Sequence, residues 1–202
     1  MTSLSLSLLT ICGIEELGGH SSRNVTHLLS ILDPAIPDPP ILSAFDARHR
    51  LMLRFHDDVE PAPDVLLPAR EHIDAILAFG RALSAADGLG VNAHLLVHCH
   101  MGVSRSTAAM AMILAQMHPG LDEDSIFAEI LGRRPQAWPN CVMVAHADAA
   151  LNRGGRLLAA AGRVYAARLE REPSLKETML RLGRSREIEF ARGVGQHPPV
   201  SS

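Results

Sequence analysis

The sequence predicts an α/β protein with a central, mostly parallel sheet of four to five strands, flanked by helices, and a helical C-terminal half. Two observations predict this class. In the first half of the chain, short runs rich in Leu, Ile and Val alternate with loops, as expected of strands. In the second half, apolar residues recur at helical spacing. With 202 residues, of which 47% are hydrophobic, the chain is long enough to bury a substantial core.

Four runs in the first half have the length and composition of strands. The fourth is apolar without alternation, which is typical of a strand buried on both faces. Residues 33–40 include four prolines and predict a loop after the second strand. The predicted strands are Ser5–Cys12, Val25–Leu32, Leu51–His56 and His94–Cys99.

Helical periodicity accounts for most of the remaining chain. Pro68 suits the first turn of a helix whose apolar stripe ends at Leu83. Arg105–Met117 is apolar on nearly every side, so we expect a buried central helix there. Asp122 and Asn140 are suited to cap two further helices, because their side chains accept hydrogen bonds from free backbone N–H groups.

The last strong helical pattern is Arg156–Leu169, and the periodicity weakens after Pro173. We therefore expect a single domain over residues 1–172. Residues 173–202 are expected to form a C-terminal extension that is weakly helical and then flexible.

Composition excludes several functional classes. A net charge of −3 without a basic block disfavours a nucleic-acid or membrane-surface binder, and 3% aromatic residues are too few for base-stacking platforms. Three cysteines without a CxxC pair predict a reducing compartment. The chain has neither a positively charged leader nor an apolar run long enough to span a membrane. We expect a cytoplasmic protein with no nucleic-acid partner and no membrane association.

One segment, residues 98–106, carries the chemistry. It follows a predicted buried strand and precedes a predicted buried helix, so it must form a strand–loop–helix turn. The free amides of such a turn and the positive end of the helix dipole favour an anion. Gly102 supplies the backbone freedom that a tight loop needs.

The side chains of this segment form a nucleophilic site for a phosphate-like anion. Cys99 lies at the strand end, where the positive field favours the thiolate. Arg105 can direct two parallel donors onto an oxyanion. Ser106 can donate to the sulfur, and His98 can support the loop from below.

The pattern His98-Cys99-x5-Arg105-Ser106 resembles the signature loop of the cysteine-dependent protein tyrosine phosphatase superfamily, closest to its dual-specificity branch. The resemblance implies a phosphatase-like fold and a catalytic Cys99 and Arg105. It also implies a loop whose residues bind the phosphate group. Those residues are His100, Met101, Gly102, Val103, Ser104 and Arg105.

The resemblance extends beyond the loop. Leu53–Asp57 is similar to the strand-then-Asp element that delivers the general acid in this family, which implies that Asp57 is the acid; Asp58 and Asp64 are the alternatives. Downstream, Arg134-Pro135 followed by Pro139-Asn140 resembles the family's start of a helix.

The leading expectation is therefore hydrolysis of a phosphate monoester through a phosphocysteine intermediate. The substrate would be a phosphorylated protein or a small phosphate ester. Alternatives are a rhodanese-like sulfurtransferase, an arsenate reductase or a non-catalytic phosphate-binding module. Rhodanese loops are usually one residue shorter, arsenate reductases usually place the nucleophile near the N-terminus, and a non-catalytic module would typically have lost Cys99 or Arg105.

No metal and no cofactor are expected. His98 and His100 flank Cys99, but strand alternation directs both imidazoles away from the thiol, and no second ligand cluster completes a site. Cys12 and Cys141 are expected to be small core residues.

Overall fold

The computed structural model describes residues 8–85 and 93–194 and contains one four-stranded sheet. All of its strand pairings are parallel, in the order β1-β4-β2-β3. The predicted sheet is thus confirmed, with boundaries shifted by one or two residues. Residues 5–7 of the first predicted strand lie outside the described residues. The strands are β1 Leu8–Cys12, β2 His27–Leu32, β3 His49–Arg54 and β4 His94–His98.

Helices follow the strands, as the periodicity predicted. The central helix α2 has the predicted bounds, and the helical second half is confirmed. The helices are α1 Arg70–Ala85, α2 Arg105–Met117, α3 Glu123–Arg133, α4 Cys141–Ala150, α5 Arg156–Arg171, α6 Leu175–Arg181 and α7 Ser185–Val194.

Side-chain caps define where two of these helices begin. The Asp122 carboxylate accepts from the backbone N–H of Ser125 at 2.8 Å, at the start of α3. Asn140 Oδ1 accepts from the amides of Val142 and Met143, each at 3.1 Å, at the start of α4. Both residues act as the caps predicted from sequence.

The two faces of the sheet are covered differently. Helices cover one face, where α2 lies against β4 and packs between α1, α3 and α4. Two 3-10 helices, Ile14–His20 and Pro40–Ala44, cover the other face and contribute Leu17 and Leu42 to a smaller core. Because apolar residues cover both faces of the sheet, polar groups are expected mainly at the ends of the strands.

The C-terminal segment packs onto the domain through α7. This helix lies against α5, and its Ile188 and Ala191 side chains belong to the main core. Residues 195–202, the end of the expected extension, lie outside the described residues. Among the helices in the described part of the chain, none is long and apolar enough to cross a membrane.

The carboxyl ends of all four strands meet at one edge of the sheet, because every pairing is parallel. Helix α2 also begins at this edge, directly after the loop that follows β4. In open parallel sheets this edge is where ligands bind.

Candidate active site

The loop between β4 and α2 places Cys99 at the carboxyl edge of the sheet. Cys99 follows the last residue of β4 and is only 2% exposed. The Ser106 hydroxyl, in the first turn of α2, lies 3.2 Å from Cys99 Sγ. A hydroxyl at this distance can donate a hydrogen bond to a thiolate and so stabilise the negative charge on sulfur.

His98 supports the loop from within the sheet. Its Nε2 makes a 2.7 Å hydrogen bond with the Ser30 hydroxyl of β2. Burial lowers the pKa of His98 to about 4, so the imidazole is neutral at pH 7. A neutral, hydrogen-bonded imidazole holds the end of β4 without adding charge beside Cys99.

Gly102 is required by the close approach of the loop to the end of β1. Its φ of +67° lies in the left-handed region. A Cβ at this position would lie 2.6 Å from the backbone nitrogen of Gly13 and 2.7 Å from Arg134 Nη2. Any side chain here would therefore force the loop away from β1.

Arg134 clamps the outer side of the loop. It donates from Nε to the Gly102 carbonyl at 2.9 Å and from Nη2 to the Met101 carbonyl at 2.8 Å. The Glu16 carboxylate receives two further hydrogen bonds from the same guanidinium, at 2.8 and 2.7 Å. These bonds lower the pKa of Glu16, so the clamp stays ionised at neutral pH.

Arg105 is buried at the start of α2, with only 2% of its side chain exposed. Its Nη1 donates to the Phe55 carbonyl at 2.7 Å and to Asp33 Oδ1 at 2.5 Å. Arg105 Nε is buried and makes no hydrogen bond within the described residues. A phosphoryl oxygen bound in the loop would supply the missing acceptor.

Asp33 was not identified as a site residue from the sequence, which indicated only that a loop begins there. It directly follows β2, and its Oδ2 lies 3.8 Å from His100 Nε2. Its position after a buried strand was a usable signal, since parallel strands deliver such residues to the same edge.

Asp57, the predicted general acid, lies against the loop. Its Oδ1 accepts from the Ser104 hydroxyl at 2.7 Å and from Asn140 Nδ2 at 3.0 Å. Its Oδ2 lies 3.9 Å from Arg105 Nε. The alternatives Asp58 and Asp64 are both exposed. The structure therefore brings Asp57, among the three candidates, into direct contact with the loop side chains.

Two residues of the C-terminal segment also reach the site, and no sequence signal indicated them. Arg184 Nη2 donates to Ser104 Oγ at 2.8 Å and forms an ion pair with Asp57 Oδ1 at 2.9 Å. Arg184 Nη1 donates to Glu187 Oε1 at 3.1 Å. Burial raises the pKa of Glu187 to about 7, although the Arg184 charge opposes this shift.

The remaining residues of the predicted loop line its rim and base. The Met101 side chain is 73% exposed at the rim, and His100 is half-buried. The Val103 carbonyl accepts from the backbone N–H of Trp138 at 2.9 Å and from the Thr107 hydroxyl at 2.6 Å. These bonds tie the base of the loop to α2 and to the segment that precedes α4.

The other two cysteines lie in different surroundings. Cys12 and Cys141 are each 1% exposed. Burial, reinforced by the nearby Glu16 and Glu187 carboxylates respectively, raises the pKa of each thiol to about 12. Both are therefore protonated and unreactive at neutral pH. Within the part of the chain that the structure describes, no group of three or more His, Cys, Asp and Glu residues is arranged to hold a metal ion.

Comparison with known proteins gives matches in structure alone. No protein-family profile matches the sequence, and no curated protein matches it. Human DUSP28 aligns with a TM-score of 0.52 at 19% identity, over 74% of this chain and 94% of that chain. The PTP-2 phosphatase of Cydia pomonella aligns with a TM-score of 0.54 at 18% identity, over 72% of this chain and 86% of that chain.

A third similar structure is described as a tyrosine phosphatase-like protein, the human serine/threonine/tyrosine-interacting protein. It aligns with a TM-score of 0.52 at 18% identity, over 74% of this chain and 95% of that chain. These likenesses show that the chain has the fold that these phosphatase and phosphatase-like structures share. The resemblance to the dual-specificity branch, predicted from the signature loop, is confirmed at the level of the fold.

Proposed function

We propose that this protein hydrolyses phosphate monoesters through a phosphocysteine intermediate, with Cys99 as nucleophile, Arg105 as phosphate ligand and Asp57 as general acid. The observation that carries the proposal is the contact of Asp57 with the loop. Asp57 is 47 residues from Ser104 in sequence, yet it binds the Ser104 hydroxyl at 2.7 Å. An acid held beside an anion-binding loop and a cysteine is the set of groups that this chemistry requires.

In the first step, the Cys99 thiolate attacks phosphorus and forms an S–P bond. The P–O bond to the alcohol or phenol breaks, and its electron pair moves to the leaving oxygen. Asp57, in its carboxylic acid form, gives its proton to that oxygen and becomes a carboxylate. Arg105 and the loop amides bind the phosphoryl oxygens as negative charge redistributes in the transition state.

In the second step, water attacks the phosphorus of the phosphocysteine, and the Asp57 carboxylate accepts a proton from that water. The S–P bond breaks, and its electron pair returns to sulfur as the Cys99 thiolate. Ser106, 3.2 Å from Cys99 Sγ, stabilises this leaving thiolate by donating a hydrogen bond. The products are inorganic phosphate and the enzyme with its acid protonated again.

The substrate in this proposal is a phosphorylated protein or a small phosphate ester, and the reaction uses no cofactor. Every proton and electron pair in the two steps is supplied by the ester, water, Cys99 or Asp57. The alternatives of sulfur transfer, arsenate reduction and phosphate binding without turnover gain no specific support from the contacts of the site.

Trapping the intermediate tests the proposal. The wild-type protein and Cys99→Ser are mixed with phenyl phosphate and with a phosphotyrosine peptide, and phosphate release is measured. Phosphate should be released by the wild type, with a cysteine-linked phosphate found by mass spectrometry after rapid acid quench. Cys99→Ser should lose turnover completely and still bind vanadate, because Arg105 and the loop amides remain.

Alanine at each of the other two cysteines provides the matched control. Cys12→Ala and Cys141→Ala should keep their turnover, since both thiols are protonated at neutral pH and lie outside the loop. Retained activity in Cys99→Ser, or a wild type that binds vanadate but turns over no phosphate ester, would contradict the proposed function.

A further inference from the structure

Arg184, the residue immediately before α7, contacts Ser104 in the loop between β4 and α2, here called the phosphate loop, and Asp57, the proposed acid. We propose that Arg184 is a positioning residue for Asp57: it holds Oδ1, so that the transferable proton is carried on Oδ2, the oxygen that faces Arg105. The inference rests on the proposed function. It makes the C-terminal segment part of the catalytic apparatus, although α7 contributes no group that touches the substrate.

The geometry around Asp57 separates the roles of its two oxygens. Oδ1 accepts hydrogen bonds from the Ser104 hydroxyl at 2.7 Å and from Asn140 Nδ2 at 3.0 Å, and it forms an ion pair with Arg184 Nη2 at 2.9 Å. An oxygen that accepts two hydrogen bonds and also pairs with a cation is disfavoured as the protonated oxygen of a carboxylic acid. The proton therefore belongs on Oδ2, 3.9 Å from Arg105 Nε.

Arg184 also determines the orientation of the Ser104 hydroxyl. A serine hydroxyl has one hydrogen to donate and lone pairs that accept. Arg184 Nη2 donates into Ser104 Oγ at 2.8 Å, and the Ser104 hydrogen points to Asp57 Oδ1 at 2.7 Å. One guanidinium thus pairs with Oδ1 and also orients the Ser104 O–H that donates to this oxygen.

Arg184 is itself held rigidly. Its side chain is 8% exposed, and Nη1 donates to Glu187 Oε1 at 3.1 Å. Glu187 is fully buried and accepts from the backbone N–H of Cys141 at 3.0 Å and from the Trp138 indole N–H. One cation, Arg184, therefore joins four parts of the chain: the loop that contains Asp57, the phosphate loop, the segment before α4 and the start of α7.

The charge balance keeps this cation in place. Burial lowers the pKa of Arg184, but the Asp57 and Glu187 carboxylates outweigh that effect and raise it. Arg184 is therefore charged at every pH at which the enzyme is assayed. Loss of its side chain would remove the ion pair at Oδ1 and the partner that orients the Ser104 hydroxyl, so that the proton of Asp57 would be directed less well at the leaving oxygen.

Leaving-group dependence tests this role, because a merely structural defect lowers turnover of every ester equally. In Arg184→Gln, we expect kcat/KM for phenyl phosphate to fall on the order of tenfold, and that for 2,4-dinitrophenyl phosphate to fall less than about twofold. A dinitrophenolate leaves without receiving a proton, so a misdirected acid lowers kcat/KM for its ester only slightly. Arg184→Lys, which keeps the charge, should recover part of the loss.

Arg186→Gln is the matched control, since this arginine lies two residues further along, in α7, and is exposed. It should behave as wild type with both esters. In an Asp57→Asn background, Arg184→Gln should add no further leaving-group-dependent loss, because both changes act on the same proton transfer.

Equal losses with the two esters in Arg184→Gln, or additive losses in the double variant, would overturn the positioning role. Should Arg184→Gln fail to fold, Arg184→Lys carries the same comparison with a smaller expected difference, and equal losses there overturn the role as well. A wild type that turns over neither ester would contradict the proposed function instead, so the two failures are distinguishable.

Discussion

Polar side chains lie at both ends of the parallel strands, which we call the amino edge and the carboxyl edge of the sheet. The chemical groups at the two edges differ. At the amino edge, β2, β3 and β4 each begin with a histidine. The His27 and His49 rings stack with centroids 4.5 Å apart, and His94 Nε2 makes a 2.8 Å hydrogen bond with Thr10. The carboxyl edge also has a histidine, His98 at the end of β4, but carboxylates, a guanidinium and a thiol lie beside it.

The difference follows from what else meets each edge. Burial lowers the pKa of His27, and it lowers that of His94 to about 4, so burial disfavours the charged form of both imidazoles. Helix α2 begins at the carboxyl edge, and its N-terminal N–H groups favour negative charge there. The carboxyl edge therefore differs from the amino edge in having a helix N-terminus and side chains of opposite charge around Arg105.

The largest expected effect is at the carboxyl edge. Arg105→Lys should lower kcat/KM on the order of a thousandfold, because one ammonium group cannot bind a phosphoryl group, Asp33 and the Phe55 carbonyl in the geometry of a planar guanidinium. Arg70→Lys, at the exposed start of α1, should stay close to wild type. Steady-state kinetics at pH 7 measure both, and near-wild-type turnover in Arg105→Lys would show that the loop does not enclose a phosphate.

The acid gives the next effect. Asp57→Asn should lower turnover of phenyl phosphate on the order of a hundredfold and that of a dinitrophenyl ester far less, since only the former needs a proton. Asp58→Asn and Asp64→Asn are the controls. Both residues are exposed, and their substitution should lower turnover only slightly. A leaving-group-dependent loss in Asp58→Asn would instead assign the acid to the neighbouring residue.

The clamp on the loop should give a smaller and uniform effect. Arg134→Gln should lower kcat/KM about tenfold for every ester, because it loosens the Met101 and Gly102 carbonyls without affecting the acid. Arg133→Gln, which alters a surface pair with Glu129, should leave kinetics unchanged. A leaving-group-dependent loss in Arg134→Gln would mean that the clamp also positions the proton donor.

A substitution at the amino edge should alter the free energy of unfolding and leave activity at pH 7 unchanged. The folded-state pKa of His94, about 4, lies below the ordinary value of 6.5, so the unfolded chain binds more protons between these two values. The free energy of unfolding therefore falls as the pH drops from about 6.5 to about 4, with a contribution from His94 on the order of 3 kcal/mol. His94→Gln should flatten this decline in urea unfolding. Parallel pH profiles for the two proteins would contradict the assignment.

Much of the site could be predicted because its chemistry is local in sequence. Cys99, Gly102, Arg105 and Ser106 lie within one turn between a strand and a helix, and the turn itself brings them together. The capping roles of Asp122 and Asn140 were equally accessible, since each acts on amides two or three residues away. Interactions of this range depend on backbone geometry that a short pattern already specifies.

The contacts that the sequence did not reveal join distant segments. Asp33 reaches Arg105 across 72 positions, and Arg184 reaches Ser104 across 80. Asn140, expected only as a helix cap, also donates to Asp57, 83 positions earlier. A charged residue in an amphipathic segment has the same local pattern whether it faces water or a buried carboxylate, so periodicity does not distinguish the two.

The sequence by itself determined the class of the fold, the strand–loop–helix turn after β4 and the residues of that turn, because strand and helix periods and loop chemistry act over a few residues. Only the tertiary structure decided that the ends of β2 and β3 and the start of α7 meet at the turn. That meeting depends on strand order and on the packing of α7 against α5, which bury Arg184 beside Asp57. Burial of this kind is a property of the assembled core, and it places an arginine near the C-terminus in contact with the Asp57 carboxyl group at the carboxyl edge.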